Sequence, residues 1–239
     1  MLPNVMEQPL VRMLDLVKVY QTAAGDFPAL KGIHLEVGRG EFVGIVGKSG
    51  AGKSTLVNMI TGVDHATSGE VWVGGVPVHT LDEDAMALWR GMNVGVIYQS
   101  FELMPSLTVL DNVMLPMDLC GLFVQGTSQS RAMDLLRMVE MDDQHFKLPG
   151  AVSGGQKQRA AIARSLANDP VLIVADEPTG NLDSNTSEVI LQLFESLVQQ
   201  GKTIIMVTHD QSLASRFSRV LQIIDGEISP FNENTGWQA

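Results

Sequence analysis

Runs of apolar residues broken by turn residues organise the first part of the chain. From Leu10 to Val46 the stretches "LVRMLDLVKVY", "LKGIHLEV" and "EFVGIVG" are separated at Gly25, Pro28 and Gly38 to Gly40, which predicts strands joined by turns. The third run ends in a glycine-rich loop, and a helix is expected over Thr55 to Thr61. "SGEVWVGGVPVHT" reads as a short hairpin and "VGVIYQS" as a further strand.

Between Ser106 and Pro149 the period changes. Helical patterns such as "SQSRAMDLLRMVEMDD" replace the strands, with Pro105, Pro116 and Pro149 as breaks. Strand-like "VLIVAD", a helix from roughly Ser184 to Gln200, strand-like "TIIMVTHD", a helix over "QSLASRFS" and a strand pair around "VLQIIDGEI" follow. The tail "FNENTGWQA" has no period and reads as a loose end. Strands alternating with helices imply right-handed crossovers and a mainly parallel sheet, hence an α/β fold.

Composition adds limits. A chain of 239 residues with 45% hydrophobic and 18% charged residues is globular material, here expected to form one composite domain. The longest apolar runs have strand length, so direct membrane insertion is not expected. The first residues, "MLPNVMEQPLVR", lack a basic start followed by an apolar signal core, and the single cysteine, Cys120, has no internal partner, which points to a reducing compartment. A net charge of −11 argues against nucleic acid and against adhesion to anionic lipid, so attachment to a membrane would run through a protein partner.

Two local patterns carry chemistry. "GKSGAGKST" runs over Gly47, Lys48, Ser49, Gly50, Ala51, Gly52, Lys53, Ser54 and Thr55, between a predicted strand and a predicted helix. Glycines there let backbone N–H groups turn inward around phosphate oxygens, and the helix directs its positive end at them. Lys53 supplies charge to the outer phosphates and Ser54 a hydroxyl to Mg²⁺. Lys48, at a variable position of the loop, reads as a solvated side chain. "VLIVADEP" delivers Asp176 and Glu177 to the end of a buried strand, where neighbouring side chains point to opposite faces and take different roles. Asp176 suits the metal shell and Glu177 the polarisation of an attacking water.

With "VSGGQ" at Val152 to Gln156, "VADEP", "GNLD" and "VTHD" in this order, the chain resembles an ATP-binding cassette (ABC) ATPase over nearly its whole length. The resemblance implies a P-loop NTPase core with a mainly parallel sheet, an N-terminal antiparallel β-subdomain and an inserted α-helical subdomain at roughly 101–168 of a single domain spanning 1–239. It implies ATP and Mg²⁺ as ligands. Ser153, Gly154, Gly155 and Gln156, with a helix over Gln156 to Asn168, would reach the ATP held by the cradle of a second copy in a head-to-tail homodimer. Carried over singly, Tyr20 resembles the aromatic that stacks on adenine, Gln99 the glutamine that contacts Mg²⁺ and water, Asp183 the aspartate linking the two sites, and His209 the histidine at the γ-phosphate.

Cassettes of this kind power an integral membrane permease subunit, which would place the chain peripherally on the cytoplasmic face of the membrane. Methionines such as Met104, Met114 and Met117 fit either a groove for a partner helix or a core. "EPTGNLDS", "TSGEV" and "SLTVLDNVMLP" resemble the branch of macrolide exporters, lipoprotein-release ATPases and the cell-division ATPase. The alternative to transport is a regulatory ATPase controlling a membrane-bound cell-wall enzyme.

Overall fold

The computed structural model describes residues 8–23 and 25–231. The expectations for the first few residues and for nearly all of the C-terminal tail lie outside the described residues. The chain divides into two compact units, one from the described residues up to Leu81 together with Ile205 onward, the other from Asp82 to Ile204.

In the first unit, β1 (Val11–Thr22), β2 (Gly25–Val37), β4 (Ser68–Val73) and β5 (Val76–Pro77) form an antiparallel sheet in the order β2-β1-β4-β5. Its inward positions alternate along β1, with Val11 and Met13 buried on either side of exposed Arg12. β3 (Phe42–Val46) is buried at every position, which suits a strand covered on both faces. It lies parallel to β9 (Arg219–Ile224), and the order β10-β9-β3-β8 includes β10 (Glu227–Pro230) and β8 (Thr203–Thr208), a strand that begins in the second unit and ends in the first. Gly44 is required here, because a Cβ would stand 2.3 Å from the ring of Phe217, which packs edge-on against Phe42 at 4.9 Å. α1 (Lys53–Thr61) follows β3 and buries Leu56, Val57 and Ile60.

The second unit holds α2 (Glu83–Asn93), β6 (Val94–Ile97), α3 (Val109–Leu119), α4 (Thr127–Met138), α5 (Gly154–Ser165), β7 (Leu172–Asp176) and α6 (Ser184–Gln199). β6 runs parallel to β7, with Ile97 opposite Ala175. α5 presses on β6 so closely that a Cβ on Gly95 would meet the Ser165 carbonyl at 2.5 Å.

Three expectations change. Pro116 is inside α3 instead of breaking it: near the C-terminal end of a helix started by a Thr108–Asp111 capping box, it removes a single N–H bond. Its carbonyl accepts from Cys120 N at 3.2 Å and from Asn168 Nδ2 at 3.0 Å. The segment after β8 forms 3₁₀ turns over Gln211–Arg216 and not an α-helix. The strand expected to reach Ser100 ends at Ile97.

The hydropathy pattern gave no sign of α2. Its buried stripe consists of Met86 and Trp89 alone, too narrow for a periodic signal, although Asp82 caps it through a 2.8 Å bond from Ala85 N.

Candidate active site

In the first unit the loop after β3 is shaped by close approach. The Gly47 N–H donates to the Thr208 carbonyl at 3.3 Å, and a Cβ on Gly47 would meet the Ile223 carbonyl at 2.6 Å. Gly50 and Gly52 have φ of 80° and 108°, a region that side chains disfavour. Lys48, Ser49 and Gly50 are exposed, whereas Ala51 is buried and closes a turn onto the Lys48 carbonyl at 3.2 Å.

Lys53, buried at the start of α1, turns its ammonium back under the loop, 2.9 Å from the Gly47 carbonyl and 3.1 Å from that of Lys48. α1 starts from Gly52 without a side-chain cap bond, a helix start of the kind that suits an anion. Ser54 is exposed and Thr55 half-buried. His209 directly follows the residue whose carbonyl holds Gly47, so sequence-distant "VTHD" is brought to the start of the loop. Tyr20, near the end of β1, is half-buried and donates to Asp64 Oδ2 at 3.0 Å.

In the second unit Asp176 ends β7 and Glu177 follows at φ 48°, a left-handed conformation costly for a residue with a side chain. A turn from Gly180 N to the Glu177 carbonyl at 3.1 Å holds it. Gln99 is brought to the same turn. Its side-chain amide nitrogen lies 2.9 Å from where a Gly180 Cβ would stand, and its backbone carbonyl accepts from Asn181 Nδ2 at 3.2 Å.

Asp183 caps α6, accepting from Thr186 N at 3.0 Å and Thr186 Oγ1 at 2.6 Å; these bonds hold its carboxyl below the usual range. Ser153 and Gln156 form a capping box at the start of α5, with bonds of 3.3 and 2.9 Å. Gly155 faces Thr186, since a Cβ there would come within 2.6 Å of its methyl. The segment from Ser153 to Gln156 and the start of α6 are therefore neighbours within this unit.

Some participants had no sequence signal. After Gln99, Phe101 and Glu102 both take positive φ, 65° and 49°, and Arg164 of α5 donates to both carbonyls, at 2.9 Å for Phe101. Burial pulls the pKa of this guanidinium down, opposed by Glu102 and Tyr98. An open groove of about 760 Å³ in this unit is lined by Leu88, Tyr98, Met104, Leu119, Cys120 and Arg164 among others. Met104 is half exposed and lines this groove, while Met117 is in the core. Burial raises the Cys120 thiol pKa, which keeps it protonated at neutral pH.

Residues 30–180 match the family model described as ABC transporter. The chain belongs to the ABC transporter family. It is 44% identical over 198 residues to the lipoprotein-releasing system ATP-binding protein LolD 1 of Chlorobium chlorochromatii, covering 82% of this chain and 80% of that one. It is 42% identical over 220 residues to the macrolide export ATP-binding/permease protein MacB of Chlorobium phaeobacteroides, covering 92% of this chain but only 33% of MacB.

MJ0796 of Methanocaldococcus jannaschii, an ABC transporter ATP-binding protein, is 40% identical over 223 residues. Its dimeric cassette structure superposes with a TM-score of 0.87 at 39% identity, over 95% of this chain and all of that one. The same cassette is known in a post-hydrolysis state bound to ADP and Pi. The present cassette is thus an ATP-binding, ATP-hydrolysing member with an α/β fold, in which a mainly parallel sheet accompanies the antiparallel one. Among the described residues no helix is long and apolar enough to cross a membrane.

Proposed function

We propose that the cassette forms an ATP-driven head-to-tail homodimer that powers a separate membrane permease of the export or lipoprotein-release type. In this reading residues 1–239 act as one ATPase domain with 101–168 as its helical subdomain. The observation that carries it is the loop at the start of α1, with Lys53 folded beneath carbonyls 47 and 48 and no side chain capping the helix. Dimerisation is supported by the likeness to the dimeric MJ0796 cassette, and the permease by the names of the LolD and MacB relatives.

The loop from Gly47 to Thr55 binds the phosphates through backbone N–H groups and the Lys53 charge. Tyr20 stacks on the adenine. Glu177 takes the proton of the water that attacks the γ-phosphorus as the bond to the bridging oxygen breaks, releasing ADP and phosphate. His209 and Gln99 orient that water. Ser54, Gln99 and Asp176 would hold Mg²⁺; their oxygen donors fit a hard cation, and Ser54 is exposed on the first turn of α1. The ion, when bound, neutralises phosphate charge. Ser153, Gly154, Gly155 and Gln156 face the ATP of the second copy, with Asp183 at the dimer interface.

ATP favours the closed dimer over the open one, and this difference drives the partner. The groove beside Met104 and Leu119 is apolar and accessible, with Leu119 75% exposed, and fits a helix of the permease. The cassette would then sit on the cytoplasmic face of the membrane through that partner.

The test is the size of the Glu177→Gln variant in solution, measured by light scattering with and without ATP and Mg²⁺. A shift from monomer to dimer with ATP, abolished by adding Ser153→Arg, is expected, and hydrolysis should fall roughly 10²- to 10⁴-fold with ATP binding retained. A species that binds ATP and stays monomeric would overturn the shared site.

A further inference from the structure

Beside Tyr20 lie two charged groups to which no role has been assigned. Lys18 and Tyr20 lie two residues apart on β1, and both reach Asp64, which follows α1 in the chain. Lys18 Nζ donates to Asp64 Oδ1 at 2.6 Å and to the His65 carbonyl at 2.7 Å, while the Tyr20 hydroxyl donates to the other carboxylate oxygen at 3.0 Å. The Lys18 ammonium also stands 4.8 Å from the centre of the Tyr20 ring. These residues are not loosely arrayed on the surface, for the Lys18 side chain is only 12% exposed.

The carboxylate has a fixed place of its own. Val63 N and Asp64 N both donate to the Asn58 carbonyl, at 3.0 and 3.4 Å, so the turn carrying Asp64 is bonded to the last turn of α1. Through Asp64 the ring is therefore tied to the far end of the helix that begins at the phosphate loop. Partial burial pushes the Asp64 carboxyl up, yet the bonds from Lys18 and Tyr20 hold it below its ordinary value, so it is ionised at neutral pH.

We infer that Lys18 and Asp64 are positioning residues for nucleotide-base recognition: Asp64 fixes the Tyr20 hydroxyl and Lys18 occupies one face of its ring, leaving the other for an adenine base. The inference deepens the proposed ATP reading and rests on it. A tyrosine has two side-chain torsions to order when a base stacks on it, and the two tethers order them in advance. The ammonium on one face also draws the π-electron density of the ring toward itself, which eases stacking of an electron-rich purine on the opposite face. Sequence spacing does not reveal the arrangement, because Lys18 and Asp64 are 46 residues apart.

The test compares ATP with inorganic tripolyphosphate, which has no base, by calorimetric titration of wild type, Asp64→Asn, Lys18→Met and each of these combined with Tyr20→Ala. Each single variant is expected to bind ATP roughly 3- to 10-fold more weakly, the cost of ordering one side chain, while binding tripolyphosphate as wild type does. In the Tyr20→Ala background neither change should weaken ATP binding further.

Equal losses for ATP and tripolyphosphate would show that the pair supports the phosphate loop instead, and overturn the inference. Unchanged ATP affinity in both single variants would overturn it as well. If Asp64→Asn does not fold, Lys18→Met alone decides between these outcomes. A wild-type chain that binds neither ligand would overturn the ATP reading itself, a result distinct from the others.

Discussion

α1 and α5 both start at glycine-rich loops, but from opposite local conditions. α1 starts from Gly52 in a left-handed conformation with no side-chain cap, whereas α5 starts from Ser153, whose hydroxyl accepts from Gln156 N while Gln156 Oε1 accepts from Ser153 N. An uncapped helix end retains its partial positive charge for an incoming anion. A capped end is satisfied in part, and an anion must add to that arrangement or displace it. The difference matches the proposed roles, in which the first loop holds ATP within one chain and the second engages only when another chain brings its ATP.

The largest expected effect tests the first start. Lys53→Ala should weaken ATP binding roughly 10- to 100-fold, the worth of hydrogen bonds to a charged group, while Ser153→Ala should leave the affinity of the single chain unchanged by titration calorimetry. Equal losses would erase the distinction. Next comes Gly52→Ala, which forces a side chain to φ 108° and places its Cβ 2.7 Å from the Ala29 carbonyl. A loss of about 1–3 kcal/mol or more in urea unfolding is expected, and none would mean that the α1 start is not held in this conformation.

A smaller effect tests the second start. Ser153→Ala removes a cap and should cost about 1 kcal/mol of stability, with helix content otherwise preserved in circular dichroism. A neutral substitution would show that the capping box does not hold α5.

The smallest effect lies beyond the other end of α5. Asp169 is paired with Lys202 at 2.7 Å, and that bond holds its carboxyl below the reference value of 3.8. A depressed pKa stabilises the fold above the unfolded value and is lost as pH falls through the folded one. Asp169→Asn should therefore cost less than about 1 kcal/mol at pH 7, because the pair is exposed, and the difference from wild type should vanish well below pH 3.8. A difference that persists there would mean the aspartate acts through its backbone, which takes φ 54°.

The legible parts of the molecule were those governed by neighbours in the chain. The strands from Val11 to Val46 followed from apolar runs and turn residues, and the loop after β3 from its glycines. Where a short buried stripe or a long-range bond decided the outcome, the sequence said little. α2 shows two buried residues and no period; Pro116 remained inside α3, where a missing N–H near the helix end is tolerated. The left-handed pair Phe101 and Glu102 gave no warning, because its carbonyls are satisfied by Arg164, more than 60 residues away in sequence.

By itself the sequence determined the family, the two glycine-rich helix starts and the acidic end of β7, since these depend on backbone freedom, side-chain charge and short spacing. Tertiary structure alone decided that Tyr20 is held by Lys18 and Asp64, that Gln99 rests on the turn after Glu177, and that Gly155 must leave room for Thr186. Hydrogen bonds and close packing act over a few ångströms of space whatever the separation along the chain, and only folding brings those atoms within reach of one another.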